Sequence, residues 1–187
     1  MRQRANGVEE TRRRILDATS ACHRELGINA TSVDDVARRA GVAVGTVYRH
    51  FPTLEDLVRA CGAIFLDRFS LPAPNQAPAA FRGVRGRASR LDHLVDEIAA
   101  RYERGAAGWV RVREAQNDFT ATAEAHSRFE ASLDALVSEA VRPLGWSSDR
   151  RRVLRGLLDP RVWQSLAQTG LPPDEVKRHL RRLVHAV

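Results

Sequence analysis

Lysine is almost missing from this chain: of 30 basic residues only Lys177 is one, and the rest are arginine. A GC-rich coding bias produces that skew, so arginine density by itself marks no site. Cysteine is scarce too. Cys22 and Cys61 share no CxxC spacing, which excludes a disulfide framework and a cysteine zinc site. The six histidines contain no HxxxH pair, so no metal site is expected. No apolar run approaches the ~18–20 residues that cross a bilayer, and no apolar stretch follows the charged start to form a secretory signal. A cytoplasmic protein without membrane contact is the expectation. GxSxG, P-loop and dinucleotide-type glycine patterns are all absent. The chain is therefore expected not to be an enzyme, and no cofactor is implied.

What is present is an ordinary globular composition, 43% apolar over 187 residues with only 12 Gly and 8 Pro, which excludes disorder and collagen-like repeats. The net charge of +7 is spread along the chain. Residues 1–70 hold 11 basic and 9 acidic side chains, residues 71–187 hold 19 and 14. The excess speaks to solubility and general attraction to polyanions rather than to a site.

Periodicity predicts helices and no strand, an all-α fold. Ile15, Ala18, Cys22 and Leu26 stripe a helix from about Glu9, ended at Gly27. Ser32 with Asp35 forms an acidic capping box for a short helix that buries Val36, Ala37 and Ala40 and stops at Gly41. A second short helix, Val44 to His50, turns Val47 and Phe51 inward. Pro52 ends it, and Thr53 caps a fourth helix reaching Phe69. Proline at 72, 74 and 78 marks a linker. Beyond it come a helix through Tyr102 broken near Gly105–Gly108, one over Trp109–Phe119, one over Thr122–Val141, and three shorter ones to Val187. The expected division is 1–52, 53–78 as connecting helix and linker, and 79–187.

Two short helices joined at Ala40-Gly41-Val42 have the spacing of a helix-turn-helix, in which the glycine permits the tight turn and the second helix is free to enter a major groove. Gly45 lets backbone approach a duplex. Thr46, Tyr48 and His50 can donate to phosphates, and Arg49 reaches toward a guanine edge. A plain helical hairpin shows the same periodicity, but not the outward Tyr, Arg and His beside a turn glycine. Arg12-Arg13-Arg14 reads as a solvated face or a phosphate contact, and Arg2 and Arg4 as a disordered tail or a minor-groove arm.

The run Ala40-Gly41-Val42-Ala43-Val44-Gly45-Thr46-Val47-Tyr48-Arg49-His50-Phe51, with Thr11–Ala18, Gly27 and Glu55-Asp56-Leu57 around it, resembles the tetracycline-repressor (TetR) family of transcriptional regulators over about residues 9–65. The resemblance implies a homodimer that reads a palindromic operator in double-stranded DNA. Its C-terminal helical bundle would bind an unidentified small-molecule effector and dimerise, most often as a repressor. It also implies DNA contacts at Val44, Gly45, Thr46, Tyr48, Arg49 and His50, and phosphate contacts at Thr31 and Ser32. Two departures stand out: Ala43 replaces the usual capping serine, and Leu54 stands where the family has a phosphate-binding lysine.

In the C-terminal half, Tyr102, Trp109, Phe119, His126, Phe129 and Trp163 are candidates for an effector pocket, and core packing explains the same residues equally well. Val153, Leu157, Leu180, Leu183 and Val184 lie on the last helices, at the family's dimerisation position, with Arg150, Arg151, Arg152 and Arg155 expected on the rim. The rival readings are a helical dimeric ligand-binding protein or enzyme whose N-terminal domain no longer binds DNA, and a pure interaction module.

Overall fold

The computed structural model describes residues 2–69 and 71–187, without the side chains of residues 2–5, 67 and 68. Among the described residues there are helices and turns and no strand. The helices are α1 (Arg2–Leu26), α2 (Val33–Ala40), α3 (Val44–His50), α4 (Leu54–Phe69), α5 (Ala77–Ala80), α6 (Arg87–Glu114), α7 (Thr120–Val141), α8 (Ser148–Leu157), α9 (Pro160–Ala167) and α10 (Pro173–Ala186). They form two compact units. Unit 1 is Met1–Asp67 with Arg111–His126, and unit 2 is Arg68–Val110 with Ser127–Val187.

In unit 1 the predicted caps are realised, while α1 starts at Arg2 and not near Glu9, so the backbone of Arg2 and Arg4 is helical and not a disordered tail. The Ser32 hydroxyl accepts from the Asp35 amide at 3.1 Å while the Asp35 carboxylate accepts from the Ser32 amide at 3.2 Å. The Ser32 hydroxyl also donates to that carboxylate at 2.5 Å, and this bond, with the one from the Ser32 amide, holds the Asp35 carboxyl below the ordinary carboxylate range. Thr53 and Asp56 repeat the reciprocal pattern ahead of α4. Ile15, Leu16, Cys22, Val36, Ala37 and Val47 meet Phe51 and Leu57 in one apolar core. Cys61 lies in this core with its sulfur 3.7 Å from His23 Nδ1. Burial pushes the thiol up to about 11 and the imidazole down to about 4, so both are neutral packing groups at neutral pH.

The sequence-based division groups residues 111–126 with the C-terminal domain, whereas in the structure they are part of unit 1. Three polar links hold them. Asn29 donates to Asp118 at 2.7 Å. Arg59 reaches Glu124 at 2.9 Å. The Glu55 carboxylate accepts from the amides of Thr120 and Ala121 at 3.2 and 2.8 Å, so a distant acidic side chain satisfies the opening donors of α7.

Unit 2 has an aromatic centre. Phe69 stacks on Tyr102, Trp109 and Phe129 with ring centroids 5.9, 5.5 and 5.4 Å away, and the Tyr102 hydroxyl donates to the Leu158 carbonyl at 2.6 Å. A second anchor is Arg90, buried and bonded through each of its three guanidinium nitrogens. It donates to the carbonyls of Ala140 and Val84 at 2.8 Å each and to that of Glu139 at 2.5 Å.

The helix break expected near Gly105–Gly108 is absent, for α6 runs unbroken from Arg87 to Glu114. Packing explains the glycine: a Cβ at position 105 would stand 2.3 Å from Phe69 Cδ2. Gly105 is there for the ring, at the cost of helix propensity. Gly105→Ala should therefore destabilise the protein by about 1–3 kcal/mol through overpacking, against the ~1 kcal/mol gain that propensity alone would give. Urea unfolding followed by circular dichroism reads the sign directly.

Candidate nucleic-acid interface

The turn before α3 is held by backbone geometry. Gly41 sits at φ 63° and ψ 41°, in the left-handed region, and its amide reaches the Ala37 and Arg38 carbonyls. The Val42 amide adds a 3.0 Å bond to Ala37, the pattern of a Schellman-type C-cap. Arg14 of α1 donates to the carbonyls of Ala40 at 2.5 Å and Gly41 at 3.3 Å. A guanidinium thus neutralises the negative end of α2 at the point where the chain turns. The same Arg14 lies 3.2 Å from where a Cβ on Gly41 would stand.

α3 follows with Ala43 as its N-cap and no side-chain cap bond. Its inner face is Val47, with Phe51 one turn on, both buried. The outer face presents Gly45, Tyr48 and Arg49, all exposed, with Tyr48 at 48%. Thr46 and His50 are half-buried at its edges, and half-buried Val44 packs against the unit 1 core. Gly45 is an ordinary helical residue, and a Cβ there would meet nothing within 4 Å. Nothing within the protein's own fold demands glycine at that position.

Most arginines of unit 1 are committed within the fold. Arg12 stacks over Phe51 at 5.3 Å, Arg13 pairs with Glu10 at 2.6 Å and Arg14 holds the turn. Arg24 bonds Ser20, Arg38 pairs with Asp35, Arg39 with Glu25, Arg59 with Glu55 and Glu124, and Arg111 with Glu114. The phosphate-contact reading of Arg12-Arg13-Arg14 thus meets side chains already in use. The side chains of Arg2 and Arg4 lie outside the described residues. Arg49, by contrast, has no carboxylate, carbonyl, hydroxyl or ring partner among the described residues.

Other expected site residues are placed differently. Thr31 is buried, and its hydroxyl donates to the Gly27 carbonyl at 2.7 Å, so it faces the protein and not a phosphate. Ser32 is exposed, but its hydroxyl and amide are engaged by Asp35. Of the six pocket candidates, Tyr102, Trp109, Phe129 and Trp163 come together in unit 2, with Trp109 and Phe129 at 4.1 Å and Tyr102 and Trp163 at 6.1 Å. They are buried against one another and Phe69. The other two, Phe119 and His126, are grouped with unit 1. Phe69, on which Tyr102, Trp109 and Phe129 stack, is placed by periodicity only at the end of the fourth helix. Its pairing with Gly105 is the signal that sequence reading missed.

On the last helices Leu180 and Val184 are wholly buried within the chain, so they cannot present a surface to a partner. Val153 and Leu183 remain exposed at 54% and 42%, and Leu157 is half-buried. Arg155, expected on a rim, is drawn in to Glu130 and Asp134 at 2.5 and 2.7 Å.

Residues 15–61 match the family model of bacterial regulatory proteins, tetR family. The chain is 51% identical over 49 residues to the HTH-type transcriptional repressor KstR of Rhodococcus jostii, a stretch covering 26% of this chain and 23% of that protein. It is 51% identical over 57 residues to KstR of Mycobacterium tuberculosis, covering 30% and 26%. The chain thus spans about a quarter of the length of the curated relatives it matches. The fold extends further. NalD, the secondary repressor of the MexAB-OprM multidrug efflux pump of Pseudomonas aeruginosa, matches with a TM-score of 0.65 at 21% identity over 96% of both chains. LfrR of Mycobacterium smegmatis, in complex with proflavine, matches at 0.60 and 22% identity over 94% of this chain and 95% of that one. Among the described residues no helix is long and apolar enough to cross a membrane.

Losing the Arg14 link leaves two helix-end carbonyls without their cation. Arg14→Ala should lower unfolding stability by about 1 kcal/mol, while Arg13→Ala, which removes only an exposed ion pair, should stay within about 0.5 kcal/mol. Paired urea titrations compare the two.

Proposed function

We propose that this chain, whose N-terminal domain belongs to the tetR family of bacterial regulatory proteins, is a homodimeric, sequence-specific DNA-binding repressor released from its operator by a small-molecule effector. The observation that carries the reading is Arg49, a guanidinium left without a protein partner on the exposed face of α3. An unpaired, always-charged fork beside an exposed tyrosine hydroxyl and a glycine suits a major groove. Arg49 would supply a bidentate contact to guanine O6 and N7, Tyr48 and Thr46 phosphate contacts, and Gly45 the clearance for close approach. Ser32 and His50 would add contacts at the edge of that surface.

Two copies would place their α3 helices about 34–36 Å apart to meet successive major grooves of a palindromic site. The exposed Val153 and Leu183, with Leu157, are the apolar side chains of α8 and α10 that remain available to join the copies. An effector releases DNA only if it binds the non-binding arrangement more tightly. The aromatic cluster around Tyr102, Trp109, Phe129 and Trp163 is the apolar region of unit 2 such a molecule would enter. The fold shared with LfrR, which is seen with proflavine, supports an effector of small-molecule size.

Selection of bound sequences from a random DNA pool, then fluorescence anisotropy on the winner, tests this. A palindromic winner with strongly salt-dependent affinity is expected. Arg49→Ala should cost about 1–3 kcal/mol, roughly five- to 150-fold in affinity, with unfolding stability unchanged. Gly45→Ala is the sharper case: the folded protein should be as stable or more so, yet bind DNA more weakly. Unchanged affinity in both variants would overturn the assignment of α3.

A further inference from the structure

Away from the aromatic cluster, unit 2 carries an open cavity of about 400 Å³ between the 74–78 segment, the end of α7 and the start of α8. The size lies within the ~300–1,000 Å³ of small-molecule sites, and none of the six pocket candidates lines it. One side is apolar: Pro74, Ala77, Pro78, Val141 and Trp146. The charged lining is Arg142, Arg151 and a single carboxylate, Glu139.

That carboxylate is already claimed. Glu139 is buried and bound by Arg142 at 2.9 and 3.0 Å and by buried Arg90 at 3.3 Å. The Arg142 bonds, with those of Arg90 behind them, hold its carboxyl below the ordinary range. Two guanidiniums thus share one negative charge, which leaves the wall positive. Arg151 adds another cation, exposed and without a carboxylate partner among the described residues. Trp146 is oriented as well, with the Arg150 and Arg87 guanidiniums 4.4 and 5.5 Å from its ring centre. Arg90 and Glu139 therefore steady Arg142 from behind, and Trp146 forms a shaped apolar wall beside it.

We propose that this cavity binds an amphipathic organic anion, a carboxylate head on a short apolar body. The head is taken by Arg151 and the free donors of Arg142, and the body lies against Trp146, Val141 and the two prolines. A cation is disfavoured by the surplus positive charge, and a neutral alcohol of the same length gains only the apolar half. The site is independent of the DNA reading, since binding here requires neither an operator nor α3.

Isothermal titration of the intact protein with sodium octanoate, octylammonium chloride and 1-octanol tests it without DNA. Saturable octanoate binding is expected, with octanol about tenfold weaker and octylammonium silent. Arg151→Ala should weaken octanoate about tenfold and leave octanol unchanged. Ala135→Phe, which fills the cavity, should weaken both ligands. Pro78→Glu, an exposed change that places a carboxylate on the rim, should weaken octanoate alone and serves if the filled variant fails to fold. No saturable octanoate heat at millimolar concentration, equal binding of octylammonium, or an unchanged octanoate affinity in Arg151→Ala and Pro78→Glu overturns the proposal.

Discussion

A helix of seven residues closes too few intrahelical hydrogen bonds to persist in water, so α3 exists only because its surroundings hold it. Val47 and Phe51, one turn apart on its inner face, are anchored in the core that α1, α2 and α4 build. The chain reaches that position through one left-handed residue, Gly41, and the α2 end it terminates is bonded to Arg14. Ala43 contributes no cap of its own. Everything on the outer face depends on this arrangement. If the turn opened, Gly45, Tyr48 and Arg49 would no longer share one rigid surface.

Charge is the second constraint. Arginine is plentiful throughout, and its meaning lies in how each guanidinium is used. In unit 1 these side chains stack on a ring, cap carbonyls or pair with carboxylates a turn or an element away. Such exposed pairs contribute little to stability individually, but they remove cations from competition for a polyanion. Arg49 stands out against that background more clearly than any net charge could show. In unit 2, Arg142 shares its partner Glu139 with Arg90, which binds it from behind, and Arg151 lines the same cavity.

Glycine carries opposite meanings at three places in this molecule. At position 41 it supplies a backbone conformation, and at 105 it yields space to Phe69. At 45 the fold makes no demand at all. There the glycine stands on the exposed face of α3 and serves neither the backbone nor the packing of the fold. Burial sorts the apolar residues of α8 and α10 similarly. Leu180 and Val184 complete the chain's own core, while Val153 and Leu183 are left uncovered.

Helices, caps and the helix-turn-helix were legible from the residues because their causes are local. A capping serine finds its aspartate three residues on, a buried stripe recurs every three or four residues, and Gly41 ends α2 whatever surrounds it. The exposed face of α3 followed from the same periodicity. Contacts between distant positions were not legible. The continuity of α6 through Gly105 depends on Phe69 arriving from another helix. Residues 111–126 lie in unit 1 because Asn29, Glu55 and Arg59 reach them from the far end of the chain. The inward hydroxyl of Thr31, the capture of Arg155 and the steadied Arg142 are of the same kind. A local pattern states that a side chain is apolar, charged or free to turn. Which partner it meets depends on loops closing between remote segments, and only the packed chain decides that.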